Sequence, residues 1–118
     1  MIETVRISER GKQQLSQLKK KTGIQQWNIL CRWALCTSLA DKTIPPKEDI
    51  ITNSNIEMTW KTFAGKDEAI YEALIKQRIH EDGVEQEALS EWFKIHLHRG
   101  ISFLSNRTDT LASFIELK

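Results

Sequence analysis

The chain has 118 residues, 40% apolar and 28% charged, a balance that suits one globular domain with a buried core and excludes a disordered tract. No run approaches the roughly 20 apolar residues of a membrane helix, which excludes a chain that spans the bilayer as helices. The net charge of +1 hides an asymmetry: residues 1–42 hold eight Lys/Arg against three Asp/Glu, and residues 43–118 hold nine against thirteen.

A single domain over residues 1–118, with a basic part (1–42) and an acidic part (43–118), implies a polyanionic partner on one side and solvent or protein on the other. The stretch Met1–Arg6 has no basic segment followed by an apolar one, so no secretory signal is read there and a cytoplasmic location is expected.

Thr4-Val5-Arg6-Ile7-Ser8 alternates, with Val5 and Ile7 on one side, and predicts a short strand with one buried face. Ser8 offers an N-cap and Glu9 a first-turn carboxylate for a helix over 9–21. Leu15 and Leu18 form its apolar stripe, Lys19-Lys20-Lys21 its last turn, and Gly23 closes it. A second helix is predicted over 25–40. Trp27, Leu30, Cys31, Ala34 and Ser38 share one side of it, while Ile29, Trp33, Leu35, Cys36 and Leu39 cover much of the other. A helix apolar nearly all round must be buried, and in so small a chain a subunit interface is the expected cover.

Cys31 and Cys36 sit about 140° apart on that helix, so no bond between them is expected. Both are read as small buried hydrophobes in a reducing compartment, and neither as half of a zinc site. Pro45-Pro46 stop the helix, and 41–55 reads as a loop. Residues 56–63 read as an extended segment or an irregular loop. Helices are expected over 67–82, with Ile70, Tyr71, Ala73, Leu74 and Ile75 as a broad apolar face, and over 85–104; Thr108 to Lys118 reads as a short terminal element.

Strand, helix, Gly turn and apolar helix follow the order of a ribbon-helix-helix unit, in which two chains pair their N-terminal strands. The expected fold is therefore mainly α: a four-helix domain with a short N-terminal strand, a ribbon-helix-helix-like first half, and an oligomeric state. In such a ribbon Thr4, Arg6 and Ile2 point outward, and the start of the second helix, at Gly23-Ile24-Gln25, offers backbone N–H groups to a phosphate.

Lys19, Lys20 and Lys21 form the densest charge cluster. Their ordinary role is a solvated helix end whose cations offset the dipole. With Arg6, Arg10 and Lys12 they make a basic strip, and DNA phosphate contact is the favoured reading. No aromatic residue interleaves the cluster in sequence, so stacking on single strands is not indicated. In His96-Leu97-His98-Arg99-Gly100 the two histidines lie about 200° apart on a helix and cannot share a metal. They read as an interfacial and an exposed His beside an ion-pairing Arg, with Gly100 permitting close helix packing. Asp82, Glu81 and Glu85 read as acidic helix ends. Neither a nucleophile elbow, a P-loop nor a dinucleotide turn is present, so no enzyme, no cofactor and no metal are expected.

Several stretches together resemble the DNA sulfur modification protein DndE family. They are Leu18-Lys19-Lys20-Lys21-Thr22-Gly23-Ile24, Trp27-Asn28-Ile29-Leu30-Cys31-Arg32-Trp33-Ala34, Pro45-Pro46 and Trp60-Lys61-Thr62-Phe63-Ala64-Gly65. Tyr71-Glu72-Ala73-Leu74-Ile75-Lys76-Gln77-Arg78, Asp82-Gly83 and His96-Leu97-His98-Arg99-Gly100-Ile101 extend the resemblance over nearly the whole chain. It implies a helical, oligomeric, DNA-binding accessory protein of the bacterial system that replaces a non-bridging DNA phosphate oxygen with sulfur, the sulfur chemistry belonging to other members.

The expected function is thus backbone contact with double-stranded DNA, with a preference for nicked duplex, by a tetramer working beside other modification proteins. Two alternatives stand beside it. One is a protein–protein scaffold using the acidic 67–91 region; the other is a sequence-specific ribbon-type repressor with Thr4 and Arg6 on base edges.

Overall fold

The computed structural model describes the backbone of residues 2–116 and the side chains of residues 2–107. Strand β1 (Thr4–Arg6) leads into α1 (Glu9–Thr22), and α2 (Trp27–Ala40) follows after a four-residue turn. A long loop returns the chain to β2 (Glu57–Thr59), the one-turn helix α3 (Trp60–Ala64), α4 (Glu68–Glu81) and the 28-residue α5 (Leu89–Glu116). Four long helices and a two-stranded sheet bear out the mainly α, four-helix expectation. Among the described residues no helix is long and apolar enough to cross a membrane.

The strand-helix-helix order is as expected, but the pairing differs from a ribbon. β1 pairs antiparallel with β2 of its own chain, Thr4 opposite Thr59, Val5 opposite Met58 and Arg6 opposite Glu57. The sequence at 56–63 resolves into that strand plus a helical turn, because Thr59 accepts the Thr62 N–H at 3.1 Å and caps α3. Thr4 and Arg6 face solvent as predicted, whereas Ile2 is buried.

α1 begins and ends as read: the Ser8 hydroxyl accepts the Gly11 N–H at 3.0 Å, and Gly23, at φ 77°, donates its N–H to the Lys19 carbonyl. α2 lies along α5, and Gly100 is the reason they approach so closely. A Cβ there would sit 1.7 Å from the Ala34 carbonyl oxygen, so only glycine fits.

Leu30, Cys31, Ala34, Leu35 and Ser38 form the buried face of α2. Its other side is less covered than an all-round apolar helix implies, with Trp33 51% exposed and Cys36 also exposed. Cys36 therefore departs from the buried reading, while the buried Cys31 thiol is pushed up to about 12 by desolvation. Neither cysteine forms a disulfide.

α4 turns differently from its predicted face. Ile75, Arg78 and Ile79 are buried, and Ile70 and Leu74 stand exposed. The last predicted element is a continuation of α5, whose backbone helix runs to Glu116. The packing of Leu111, Phe114 and Ile115 lies outside the described side chains.

Candidate nucleic-acid interface

The six basic residues read from the sequence do not form one strip. Arg6 projects from β1 and meets Glu57 across the strand pair, Nη2 to Oε1 at 3.2 Å, with both side chains more than half exposed. That exposed pair contributes little to stability, but it offsets the charge Arg6 presents.

The cations of α1 divide by helix geometry. At 3.6 residues per turn Lys12 and Lys19 lie about 20° apart, Arg10 and Lys21 lie about 20° apart on the other flank, and Lys20 points away from the buried Leu15 and Leu18. Arg10 lines a cleft with Pro45, Pro46, Glu48 and His98. Lys12 instead lines a cleft with Gln25, Trp27 and Asn28 at the start of α2 and with Ile56, Glu57 and Met58 at β2.

Lys19 turns toward that same α2 end: its Nζ lies 3.9 Å from the centre of the Trp27 ring. The sequence reading found no aromatic residue among the lysines. That holds within the cluster itself, but the Gly23 turn folds Trp27, eight positions on, under Lys19. Thr22 fixes the turn, donating to the Leu18 carbonyl at 2.6 Å and accepting the Ile24 N–H at 3.2 Å. A lysine at a helix end followed by a turn glycine and an aromatic in the next first turn is the signal that was there to find.

The start of α2 adds to this surface. Gln26 occupies the N-cap without a side-chain hydrogen bond, and no acidic residue sits in the first turn. The positive end of a 14-residue helix dipole thus opens beside Lys12, Lys19 and Asn28, whose amide donates to the Thr62 carbonyl at 3.3 Å. Glu57 is the acidic residue of that cleft. Chemically the cleft offers ammonium groups, amides and a helix N-terminus, which suit an anion.

The H-L-H-R-G segment has a different job. Arg99 donates through Nε to the Ser38 hydroxyl at 2.9 Å, leaving the Ser38 O–H for His96 Nδ1 at 2.8 Å. His96 then donates from Nε2 to Asp82 Oδ2 at 2.9 Å, and Asp82 also accepts from Trp92 Nε1 and Arg78 Nε, both at 2.8 Å.

Ser38, His96 and Asp82 are the residue types of a hydrolytic triad. Ser38, however, is wholly buried and its oxygen already accepts the Arg99 Nε–H, so no substrate carbonyl can approach it. Burial is the main influence pulling His96 below the ordinary histidine range, opposed by Asp82. For Asp82 burial pushes upward most strongly, but the hydrogen bonds from Trp92, His96 and Arg78 together hold its carboxyl low.

This network closes the end of α2, whose last turn carries no basic residue. Arg78 reaches the Leu39, Asp41 and Thr43 carbonyls at 2.9, 2.7 and 2.8 Å, and Arg99 reaches those of Ser38 and Thr43, each at 2.9 Å. Two guanidinium groups from α4 and α5 thereby satisfy the carbonyls a helix leaves open. The expected ion-pairing Arg99 is a backbone clamp, and Asp82, which caps the end of α4 as read, is also the buried hub of this network.

His98, expected to be exposed, is half-buried. Its Nε2 accepts the Ser8 N–H at 3.0 Å while Nδ1 donates to the Lys94 carbonyl at 2.8 Å, tying the start of α1 to α5. Among the described residues no group of three or more His, Cys, Asp or Glu is placed to hold a metal.

The model of the family described as DNA sulphur modification protein DndE matches residues 4–111. Of the solved structures, DndE from Escherichia coli B7A, involved in DNA phosphorothioation modification, superposes with a TM-score of 0.73 at 24% identity, over 88% of this chain and 98% of that one. A DndE glycine-to-lysine double mutant, involved in DNA phosphorothioation, superposes with a TM-score of 0.69 at 23% identity, over 90% and 99%. No curated protein sequence matches the chain.

Proposed function

Given that the chain belongs to the DndE family of DNA sulphur modification proteins, we propose that it is a non-catalytic accessory protein of DNA phosphorothioation that grips the backbone of double-stranded DNA. The observation that carries this reading is the cleft shared by Lys12 and the uncapped start of α2, with Lys19 resting on its Trp27 and Lys20 exposed on the outer side of α1. These groups neutralise phosphates and read no base edge, so binding is electrostatic and indifferent to sequence.

Sulfur exchange at a phosphate is aided by an interrupted backbone, and a nicked duplex is the preferred form. The chemistry itself is assigned to partner proteins of the same cytoplasmic system; the triad-like cluster found among the described residues is sealed inside the fold. A repressor reading loses its support, since β1 is engaged with β2 of its own chain.

Fluorescence anisotropy with intact and singly nicked duplex of random sequence, at low and moderate salt, tests the reading. Each phosphate contact removed lowers the slope of log affinity against log salt by about 0.9, so Lys12→Ala/Lys19→Ala/Lys20→Ala reduces it by roughly 3 at most. A folded triple variant that binds like the wild type overturns the assigned site. Equal affinity for both duplexes removes the nick preference, and no binding to either leaves the scaffold role.

The oligomeric reading, a tetramer, is supported by apolar surface left open. Trp33 on α2 and Ile70 and Leu74 on α4 are 51%, 59% and 46% exposed. Trp33→Glu with Leu74→Glu converts the assembly to monomer in sedimentation velocity if these side chains form the contact, and leaves it unchanged if they do not.

A further inference from the structure

Between the loop after α2 and the start of α5 lies an open groove of about 550 Å³ that none of the proposed DNA-contact residues lines. Val84, Ala88, Trp92 and Ile95 line it as apolar groups, and Glu48, Asp49 and Glu91 rim it against a single cation, Lys47. The indole N–H of Trp92 is already committed to Asp82, so the ring presents no open donor to the groove.

The rim charges are largely uncompensated. Glu91 has only the long 3.5 Å contact with Lys94, and among the described residues neither Glu48 nor Asp49 forms an ion pair. Arg10 lines an adjoining cleft that shares Glu48 and Asp49 without pairing with either. Glu85 and Glu87, exposed in the turn before α5, add to the field.

We infer that this groove is a docking site for a basic amphipathic helix of a partner protein, its apolar stripe on Val84, Ala88, Trp92 and Ile95 and its Lys or Arg residues against Glu48, Asp49 and Glu91. An apolar floor with a rim of one sign selects a ligand carrying both features, the helix-in-groove mode with charge complementarity setting partner and register. The chain's own basic helix is a poor occupant, because the apolar side chains of α1, Leu15 and Leu18, are buried in its own core. The inference goes beyond DNA contact and stands or falls without it.

The test uses the full chain and a fluorescein-labelled 14-residue Leu/Lys amphipathic peptide, with Leu/Glu and Ser/Lys peptides of equal length beside it. Only the Leu/Lys peptide is expected to bind, with about tenfold loss in Glu48→Gln/Asp49→Asn and a similar loss in Ala88→Trp, which fills the groove. Far-UV circular dichroism checks the variants; Glu48 and Asp49 are exposed loop positions, so that pair carries the test if Ala88→Trp does not fold. Equal binding of the Ser/Lys peptide reduces the groove to a charged surface and overturns the inference. Binding unchanged in both variants also overturns it. If the variants instead dissociate the protein in sedimentation velocity, the occupant is a second copy and the partner assignment fails.

Discussion

Two sets of cations in this protein do opposite work. Arg78 and Arg99 are drawn inward, their hydrogen bonds aimed at carbonyls at and just beyond the end of α2, at Asp82 and Ser38, and at the Thr43 hydroxyl. Lys12, Lys19 and Lys20 are held on the outer sides of α1, one of them resting on Trp27. Guanidinium groups suit the first task because their planar fork engages several carbonyls at once, and ammonium groups suit the second because they remain hydrated point charges. A count of charge therefore says little about DNA; what separates the two sets is which groups are already bonded within the fold.

The inward set is most vulnerable at its hub, Asp82. Asp82→Ala removes the acceptor of Arg78, His96 and Trp92 and leaves a buried guanidinium without its carboxylate, so stability falls by about 3–5 kcal/mol in denaturant titration. Duplex affinity per folded molecule is expected to stay near that of the wild type. Gly100→Ala forces apart α2 and α5 at Ala34 and costs about 3 kcal/mol, at the upper end of overpacking penalties because a backbone carbonyl cannot swing away.

Acid sharpens the same boundary. His96 and His98 have lowered pKa values in the fold, chiefly through burial, so the unfolded chain binds more protons in the window between the folded values and the ordinary 6.5. Their contribution is present in full above pH 6.5 and is lost as pH falls through that window. Protonation of His98 at Nε2 also removes the acceptor of the Ser8 N–H. Thermal midpoints from pH 8 to pH 5 should decline for the wild type and decline less for His98→Gln. Ser8→Ala, which loses the N-cap of α1, costs about 1 kcal/mol. Arg6→Gln costs less than about 0.5 kcal/mol, since its partner Glu57 is as exposed as Arg6 itself.

How far the fold was legible varies with the range of the interaction. The ends of α1 were readable because Ser8, Glu9 and Gly23 act within one turn of chain. The role of 56–63 was not, because whether those residues become a strand depends on β1, fifty positions away. The buried face of α4 was misread for a related reason: Ile70 and Leu74 match the apolar pattern, but Arg78 has the carbonyls of α2 to bind and turns the helix inward. The candidate DNA site was legible as a charge cluster and not as a surface, since Lys19 and Trp27 meet only across the Gly23 turn.

By itself the sequence determined the mainly helical class, the boundaries of α1, the close approach at Gly100 and the excess of positive charge before residue 43, all features set by neighbours along the chain or by one residue's size. Tertiary structure decided the partner of β1, the inward turn of Arg78 and Arg99, the burial of His96 and the division of the α1 cations. Each of those depends on which distant carbonyl, carboxylate or ring lies within hydrogen-bonding or van der Waals reach, and that proximity exists only once the helices have packed.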